Sequence, residues 1–167
     1  MSETIGPIVK LTKSDARDDF SCGEESLDIW FEKFSWTSQR SNNATTYVCH
    51  SSQKVVGYYA ITVAGVARDV APDAIGKHGP TQVPCILLAR LAVDLEYHGR
   101  GIGSQLLADS LVRAAMLSET VGVRSFLIHA QDVEARNFYL SQAEFEPSPT
   151  DDLHLFMKIS DIKKNLD

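Results

Sequence analysis

The chain has 167 residues, of which 44% are hydrophobic and 23% charged, and its formal net charge is −6. This length suits one domain with a substantial core, so we predict a single domain over residues 1–167 with an ordinary globular composition. No run approaches the roughly 18 apolar residues of a membrane span, and the N-terminus lacks a basic start followed by an apolar stretch. We therefore expect a cytoplasmic protein with no membrane partner.

Charge is distributed unevenly along the chain. Residues 1–32 carry a net charge of −5 and residues 144–167 carry −3, whereas residues 33–143 carry +2. Overall acidity does not favour a nucleic-acid partner, but a mildly positive middle permits an RNA substrate.

The three cysteines predict neither a disulfide framework nor a metal site. Cys22, Cys49 and Cys85 are odd in number and widely spaced, and they form no C-x-x-C motif. Buried thiols are the expected outcome.

The first half of the chain predicts a strand, a helix and a β-hairpin. A short strand is expected over residues 8–11, and a helix introduced by residues 20–28 extends to about residue 40. The β-forming residues of 45–50 and 55–63 predict the hairpin. The segment 67–84 holds three prolines and predicts a long loop with at most one helical turn, a feature that is more often functional than idle.

The second half predicts two further strands that flank a helix. Residues 125–130 resemble a buried strand, and Asp132 is the expected N-cap of a short helix over residues 132–140. A rigid turn at 146–149 precedes a half-exposed last strand over 153–159, in which apolar and polar residues alternate. With the central elements described next, the order is β-α-β-β-β-α-β-α-β, an α/β fold with a mixed sheet.

A central stretch joins a buried strand to a helix through glycines. An apolar run ends at Val93, and Gly99, Gly101 and Gly103 then occupy every second position before an amphipathic pattern that begins at Ile102. Glycines let the backbone approach an anion, and the N–H groups of a first helical turn point toward it. The spacing is neither that of a P-loop nor that of a dinucleotide fingerprint. Taken alone, such glycines are also compatible with a turn that serves only packing.

This stretch resembles the Q/R-x-x-G-x-G/A pyrophosphate loop of the GNAT family of acetyl-CoA-dependent N-acetyltransferases. His98, Gly101 and Gly103 fall on its fixed positions, with His98 where the family prefers Gln or Arg. The order of elements is also the GNAT order. The resemblance implies the GNAT fold, with a mixed central β-sheet flanked by α-helices, and acetyl-CoA as the cofactor.

A narrower resemblance links the chain to the GNAT toxins of bacterial type II toxin–antitoxin modules. The matching segments are Phe20-x-Cys22-Gly23, Val56-Gly57-Tyr58-Tyr59, Leu88-x-Arg90-Leu91-Ala92-Val93-Asp94, His129-Ala130, Phe138-Tyr139 and Phe145-x-Pro147-Ser148-Pro149. Those toxins acetylate the amino group of aminoacyl-tRNA and block translation. The resemblance implies an aminoacyl-tRNA substrate, a ribbon-helix-helix antitoxin as partner, and operator DNA only through that antitoxin; it leaves open whether the chain forms a homodimer.

The chain departs from the toxin pattern at four places. Ala89 stands where Gly is usual, and His98 replaces Gln or Arg. Ala143-Glu144 replaces the customary Gly before the Phe and makes that segment one residue longer. A basic residue common near residues 44–46 is absent.

The resemblance also predicts which residues bind the cofactor. The backbone of the strand end is expected to bind the pantetheine arm, with the Val93 N–H polarising the thioester carbonyl. N–H groups of the glycine loop would hold the pyrophosphate, and the Arg100 side chain would add a charge-assisted contact. The predicted cofactor-binding residues are Leu91, Ala92, Val93, His98, Gly99, Arg100, Gly101, Ile102, Gly103 and Ser104.

Tyr139 is the predicted catalytic residue, because of its position in the toxin motif. A phenol with a pKa of about 10 donates to a thiolate of pKa about 8.5 only as that thiolate develops, which is the role of a general acid. By residue type alone, Tyr139 would be interpreted as a core aromatic. No strong base is required for an α-amino group, and His129, Glu96 and Asp132 are the nearest candidates.

Three residues are predicted to contact the substrate. Arg90 is unusual within a central strand, and RNA phosphate binding, ion pairing or loop orientation would each explain it. Lys77 and His78, in the long loop, suit an anionic substrate, although solvated loop charge is the simpler interpretation.

Two alternatives to the toxin interpretation remain open. The first is a GNAT acetyltransferase of a small amine or a protein N-terminus, because acidic surface attracts cationic amines. The second is a catalytically silent cofactor-sensing or interaction module, suggested by the altered segment at Ala143-Glu144.

Overall fold

The structure is a computed structural model, and it describes residues 4–166. The strands are β1 Val9–Lys10, β2 Thr45–Ser51, β3 Lys54–Ala67, β4 Gln82–Val93, β5 Ser125–His129, β6 Glu146–Pro147 and β7 His154–Lys158. The helices are α1 Glu25–Lys33, α2 Ser35–Arg40, α3 Asp73–Gly76, α4 Ile102–Leu117, α5 Val133–Gln142 and α6 Ile159–Leu166. No helix among the described residues is long and apolar enough to cross a bilayer.

The strands form one mixed sheet in the order β1-β2-β3-β4-β5-β7-β6. β2 and β3 pair antiparallel as the predicted hairpin, with Thr45 opposite Ile61. β4 and β5 pair in parallel, with Cys85 opposite Ser125. The predicted α/β class with a mixed sheet is confirmed.

The chain divides into two compact units. The first comprises the residues up to Thr62 together with Arg90–Asp109, and the second comprises Val63–Ala89 and the residues from Ser110 onward.

An aromatic core organises the first unit. Its buried members are Leu11, Phe20, Phe31, Val48, Val55, Tyr58 and Ala92. The rings of Phe31 and Tyr58 stack at 4.5 Å between centroids, and the Tyr58 hydroxyl donates to the Leu27 carbonyl at 2.8 Å. A buried phenol needs a partner for its hydroxyl. Tyr58 in β3 finds that partner in α1, so the hydrogen bond and the stacked rings fix α1 against β3.

The predicted helix over residues 20–40 is two helices. Phe34 separates them with φ −122° and ψ −20°, and the Ser35 hydroxyl donates back to the Phe31 carbonyl at 2.5 Å. Such a back-bond competes with the helical ladder and bends the chain. The predicted end is confirmed, since α2 stops at Arg40 and Asn42 takes φ 60°.

Gly57 sets how α4 packs on β3 within the first unit. A Cβ at Gly57 would lie 3.0 Å from Cδ1 of Leu106 and 3.1 Å from Cγ2 of Ile102. The helix therefore approaches the strand closely, and this fixes where its N-terminus lies.

The second unit has its own core, built partly by the predicted loop. The cluster contains Ala71, Ile75, Val83, Cys85, Leu127 and Phe156. The prediction of at most one helical turn in 67–84 is wrong, because a 3-10 turn at Arg68–Val70 and α3 both occur there. The two turns bring apolar side chains onto the sheet, which buries Phe156 and makes the prediction of a half-exposed last strand wrong at that residue.

The second unit also contains the predicted helix cap, a short edge strand and a C-terminal helix. The predicted N-cap is confirmed, because Oδ1 of Asp132 accepts the Ala135 N–H at 2.8 Å. The turn predicted at 146–149 holds the short strand β6, which pairs with β7. Helix α6, which buries Ile159 and Ile162, was not predicted from the sequence.

The cysteines are free thiols, with Cys49 and Cys85 buried as predicted and Cys22 half-buried. Within residues 4–166, no group of three or more His, Cys, Asp or Glu side chains is placed to hold a metal ion.

Candidate active site

Asp94 anchors the turn that leaves β4. The residue is 3% exposed, and its carboxylate accepts the N–H groups of Glu96 at 3.0 Å and Ser21 at 3.2 Å. The Lys54 ammonium lies 3.6 Å from the same carboxylate, and the Asp94 N–H donates to the Val56 carbonyl at 2.9 Å. These four contacts fix the start of the glycine loop against β3 and the segment before α1.

The glycine loop presents bare backbone. Gly99 and Gly101 both have φ +78°, a conformation that other residues rarely adopt, and a Cβ built on either would have no atom within 4 Å. The Gln105 N–H donates to the Gly101 carbonyl at 3.1 Å. The N–H groups of residues 102–104 therefore precede the helical ladder. Gly103 lies inside the first turn of α4. A left-handed backbone therefore explains why glycine stands at positions 99 and 101, but not at 103.

These features fit the diphosphate of acetyl-CoA. Backbone N–H groups at the start of a 16-residue helix suit an anion, and the absence of side chains at two loop positions lets it approach. Leu91, Ala92 and Val93 end β4, and only the Ala92 side chain is fully buried. A strand end of this kind has backbone groups able to pair with an extended ligand such as pantetheine.

His98 and Arg100 are turned toward their own loop. The Nε2 of His98 lies 2.7 Å from the Val93 carbonyl and must donate to it, because a carbonyl only accepts. A neutral imidazole then has no second N–H for a phosphate, so His98 shapes the loop where Gln or Arg is usual. The Arg100 guanidinium lies over the Tyr97 ring at 4.7 Å and donates to the Glu96 carbonyl at 3.3 Å.

Arg90 lies in the first unit, on the aromatic core. Its guanidinium carbon is 4.4 Å from the centroid of the Trp30 ring. Burial lowers the pKa of Arg90, and the nearby Tyr58 opposes that shift. The spacing of Trp30 in α1 gives no signal of a contact with Arg90.

Tyr139 is buried in α5, with 6% of its surface exposed. Its ring meets Phe138 edge to face at 5.4 Å. Among residues 4–166 its hydroxyl has no hydrogen-bond partner, and burial raises its pKa. The phenol therefore stays protonated at neutral pH and is available as a donor.

The candidate bases differ in availability. His129 is exposed at the end of β5, and its ring stacks on that of His154 at 4.0 Å. Burial and, next, the His154 imidazole lower the pKa of His129, which keeps the ring neutral and able to accept a proton. Asp132 is occupied as a helix cap, and Glu96 is exposed in the 3-10 turn after β4.

Lys77 and His78 lie in the second unit, just after α3. Both are exposed, and His78 has φ +62°. Arg124 holds this segment, because its guanidinium donates to the carbonyls of Ile75 at 3.2 Å and Lys77 at 3.4 Å. Arg124 and Lys158 line the same cavity, of about 390 Å³, as Ile75. Neither cation was predicted from the sequence as a site residue.

Comparisons with known proteins identify the family. A family model described as an acetyltransferase (GNAT) domain matches residues 42–143. The tRNA-acetylating toxin of Mycobacterium tuberculosis (strain ATCC 25618 / H37Rv) is 41% identical over 152 residues, which are 90% of this chain and 91% of that protein.

Solved structures agree with that assignment. AtaT complexed with acetyl-methionyl-tRNAfMet is similar with a TM-score of 0.88 and 25% identity, over 98% of this chain and all of that one. AtaTR bound with acetyl-CoA is similar with a TM-score of 0.84 and 25% identity over the full length of both chains. The chain belongs to the GNAT family of acetyltransferases.

Proposed function

We propose that this protein is an acetyl-CoA-dependent N-acetyltransferase toxin that acetylates the α-amino group of aminoacyl-tRNA and blocks translation. The observation that carries the choice of acceptor is the 41% identity to a tRNA-acetylating toxin over nine-tenths of both chains. The strand, glycine loop and helix from β4 to α4 support the cofactor independently, because their geometry fits a diphosphate.

The proposed cofactor contacts follow from the backbone of the first unit. N–H groups of the loop from Gly99 to Ser104 bind the pyrophosphate, with the α4 dipole adding to their attraction. The last three residues of β4 pair with the pantetheine arm. The Val93 N–H donates to the thioester oxygen, where negative charge develops in the transition state.

Acetyl-CoA supplies an acetyl group activated as a thioester. The acceptor nitrogen forms the C–N bond while the C–S bond breaks, and the nitrogen loses one proton. Tyr139 donates its phenolic proton to the departing sulfur, while a base takes up the one proton that the amine loses and solvent returns a proton to the phenolate. Its raised pKa makes early transfer unfavourable, so donation accompanies the development of charge on sulfur.

An α-amino group needs little help to react. Its pKa of about 7.7–8.0 is lowered further by the neighbouring ester, so much of it is unprotonated near pH 7, whereas a lysine side chain at about 10.4 is almost wholly protonated. His129, kept neutral by its surroundings, is the candidate to accept the released proton.

The proposed activity has consequences for partners and location. We propose a cytoplasmic location, because translation and its aminoacyl-tRNA substrates occur there. The toxin-like segments support control by a ribbon-helix-helix antitoxin, with operator DNA bound only through that partner.

The decisive assay mixes the purified chain with labelled acetyl-CoA and a set of charged tRNAs. We expect label in the aminoacyl group of at least one tRNA, recovered as an N-acetyl amino acid after hydrolysis of the ester. Acetylation of small amines or N-terminal peptides without any charged tRNA would overturn the choice of acceptor. No turnover with any acceptor would favour a silent cofactor-binding module.

A further inference from the structure

The Arg90 guanidinium rests on a rigid aromatic stack. It lies 4.4 Å above the Trp30 ring, and that ring is nearly parallel to Tyr58, at 19° and 6.1 Å between centroids. Tyr58 is itself fully buried and held by its bond to the Leu27 carbonyl. The guanidinium carbon therefore has a defined position over this stack before any ligand arrives.

No carboxylate neutralises this cation. Arg90 is half-buried, yet within residues 4–166 no Asp or Glu side chain forms a salt bridge with it. The Asp28 carboxylate, on the same helix as Trp30, instead accepts the Cys22 N–H at 2.9 Å. Removing a charge from water without a partner is costly, and the contact with the Trp30 ring offers the N–H donors of the guanidinium no ordinary hydrogen-bond acceptor. This arrangement suits a planar, bidentate contact to an external anion.

The position of Arg90 in β4 suggests which anion. It directly precedes Leu91–Val93, the segment proposed to hold the acetyl-bearing arm, and three strand residues span roughly 10 Å. In an aminoacyl-tRNA, the anion closest to the reactive amine is the phosphodiester that joins the terminal adenosine to the preceding nucleotide. A free amino acid ester or a small amine lacks that group.

We propose that Arg90, oriented by Trp30, binds the terminal phosphodiester of the acceptor strand and so selects aminoacyl-RNA over smaller amines. The proposal rests on the proposed function, because it assigns a contact to the same acceptor. Arg90 acts in binding and takes no part in the chemical step.

The test uses two acceptors that differ by one phosphodiester. One is 3′-O-aminoacyl-adenosine, and the other is the same compound extended by a 5′-linked cytidylyl phosphate. For the unmodified protein, kcat/KM should be roughly ten- to a hundredfold higher for the phosphodiester-containing acceptor, the value of a charge-assisted hydrogen bond. Arg90→Gln should bring this ratio to about one, and Arg90→Lys should leave an intermediate ratio because it keeps the charge and loses the fork.

Two further variants separate orientation from charge. Trp30→Leu keeps an apolar side chain but removes the ring under the guanidinium, and it should lower the ratio partly. Arg40→Gln removes an exposed charge at the end of α2 and should keep the full ratio. Thermal melts and acetyl-CoA titration identify any variant that is misfolded. If Arg90→Gln is misfolded, the kcat/KM ratios of Arg90→Lys and Trp30→Leu test the proposal in its place.

The outcomes distinguish this proposal from the function on which it rests. Equal kcat/KM for the two acceptors in the unmodified protein, or full discrimination by a folded Arg90→Gln, would overturn the phosphate contact and leave the proposed function intact. Failure of the unmodified protein to acetylate both acceptors and every charged tRNA would overturn the proposed function itself.

Discussion

At the scale of single residues, Tyr139 combines burial with an unused hydroxyl. A structural tyrosine in a core normally satisfies its hydroxyl, as Tyr58 does with the Leu27 carbonyl. The Tyr139 hydroxyl has no hydrogen-bond partner among residues 4–166, and burial raises its pKa. Both features suit a proton donor that acts only when negative charge appears beside it.

Replacing Tyr139 by Phe keeps the ring and removes the proton. We expect kcat to fall by about 10²–10⁴, the usual contribution of a positioned general acid, with the Kd for acetyl-CoA little changed. Steady-state kinetics and calorimetry measure the two quantities. Tyr47→Phe is the matched control, because Tyr47 is half-buried and stacks on Tyr59 in β3. If Tyr139→Phe keeps the full kcat, another group donates the proton.

The spacing of the glycine loop predicted the position of His98 but not its hydrogen bond. The glycine pattern located the loop and placed His98 in it, because sequence fixes which residue stands where. The direction of an imidazole N–H depends on the acceptors that the folded chain brings near it, here the Val93 carbonyl. The same limit applies to Arg90, whose guanidinium contacts Trp30, a residue 60 positions away in sequence.

At the scale of elements, the strand, loop and helix at the centre of the chain were predicted closely. β4 ends at Val93 and α4 begins at Ile102, as the apolar run and the helical spacing indicated. The break at Phe34 and the helix α6 were not predicted. Phe34 is neither Gly nor Pro and so gave no signal of a break. The apolar residues of α6 do stand at helical spacing, but Ile159 also continues the alternation of the predicted strand over 153–159, and this concealed the start of the helix.

The glycine loop gives a prediction at this scale. Gly101→Val forces a β-branched side chain into the left-handed region at φ +78°, which costs roughly 1–2 kcal/mol in strain alone, and it also covers backbone that we expect to face the pyrophosphate. Affinity for acetyl-CoA should fall at least about tenfold by calorimetry. Gly122→Val is the control, because Gly122 also has no neighbour within 4 Å of its Cβ and does not have a left-handed φ. Equal loss in both variants would show that the effect is not specific to the loop.

At the scale of the whole molecule, the net charge of the protein opposes binding of the proposed substrate. A protein of net charge −6 repels a polyanion at long range, so binding of RNA must depend on local cations such as Arg90. The sequence predicted an acidic protein with a mildly positive middle, but it did not predict which cations lie together. Arg124 and Lys158 line one cavity only because β5 and β7 pair antiparallel, with Ser125 opposite Lys158, a pairing that no local pattern encodes.

The proposed activity predicts an effect on living cells. Producing the chain alone in bacteria should stop growth, because an acetylated α-amine cannot attack the peptidyl ester in peptide transfer. Tyr139→Phe should relieve the arrest through lost turnover, and Gly101→Val should relieve it through lost cofactor binding, with all three proteins present at equal soluble levels. Growth curves and the recovery of N-acetylated amino acids from cellular tRNA measure the effect. Arrest that persists in both variants, without acetylated tRNA, would mean that toxicity arises from something other than acetyl transfer.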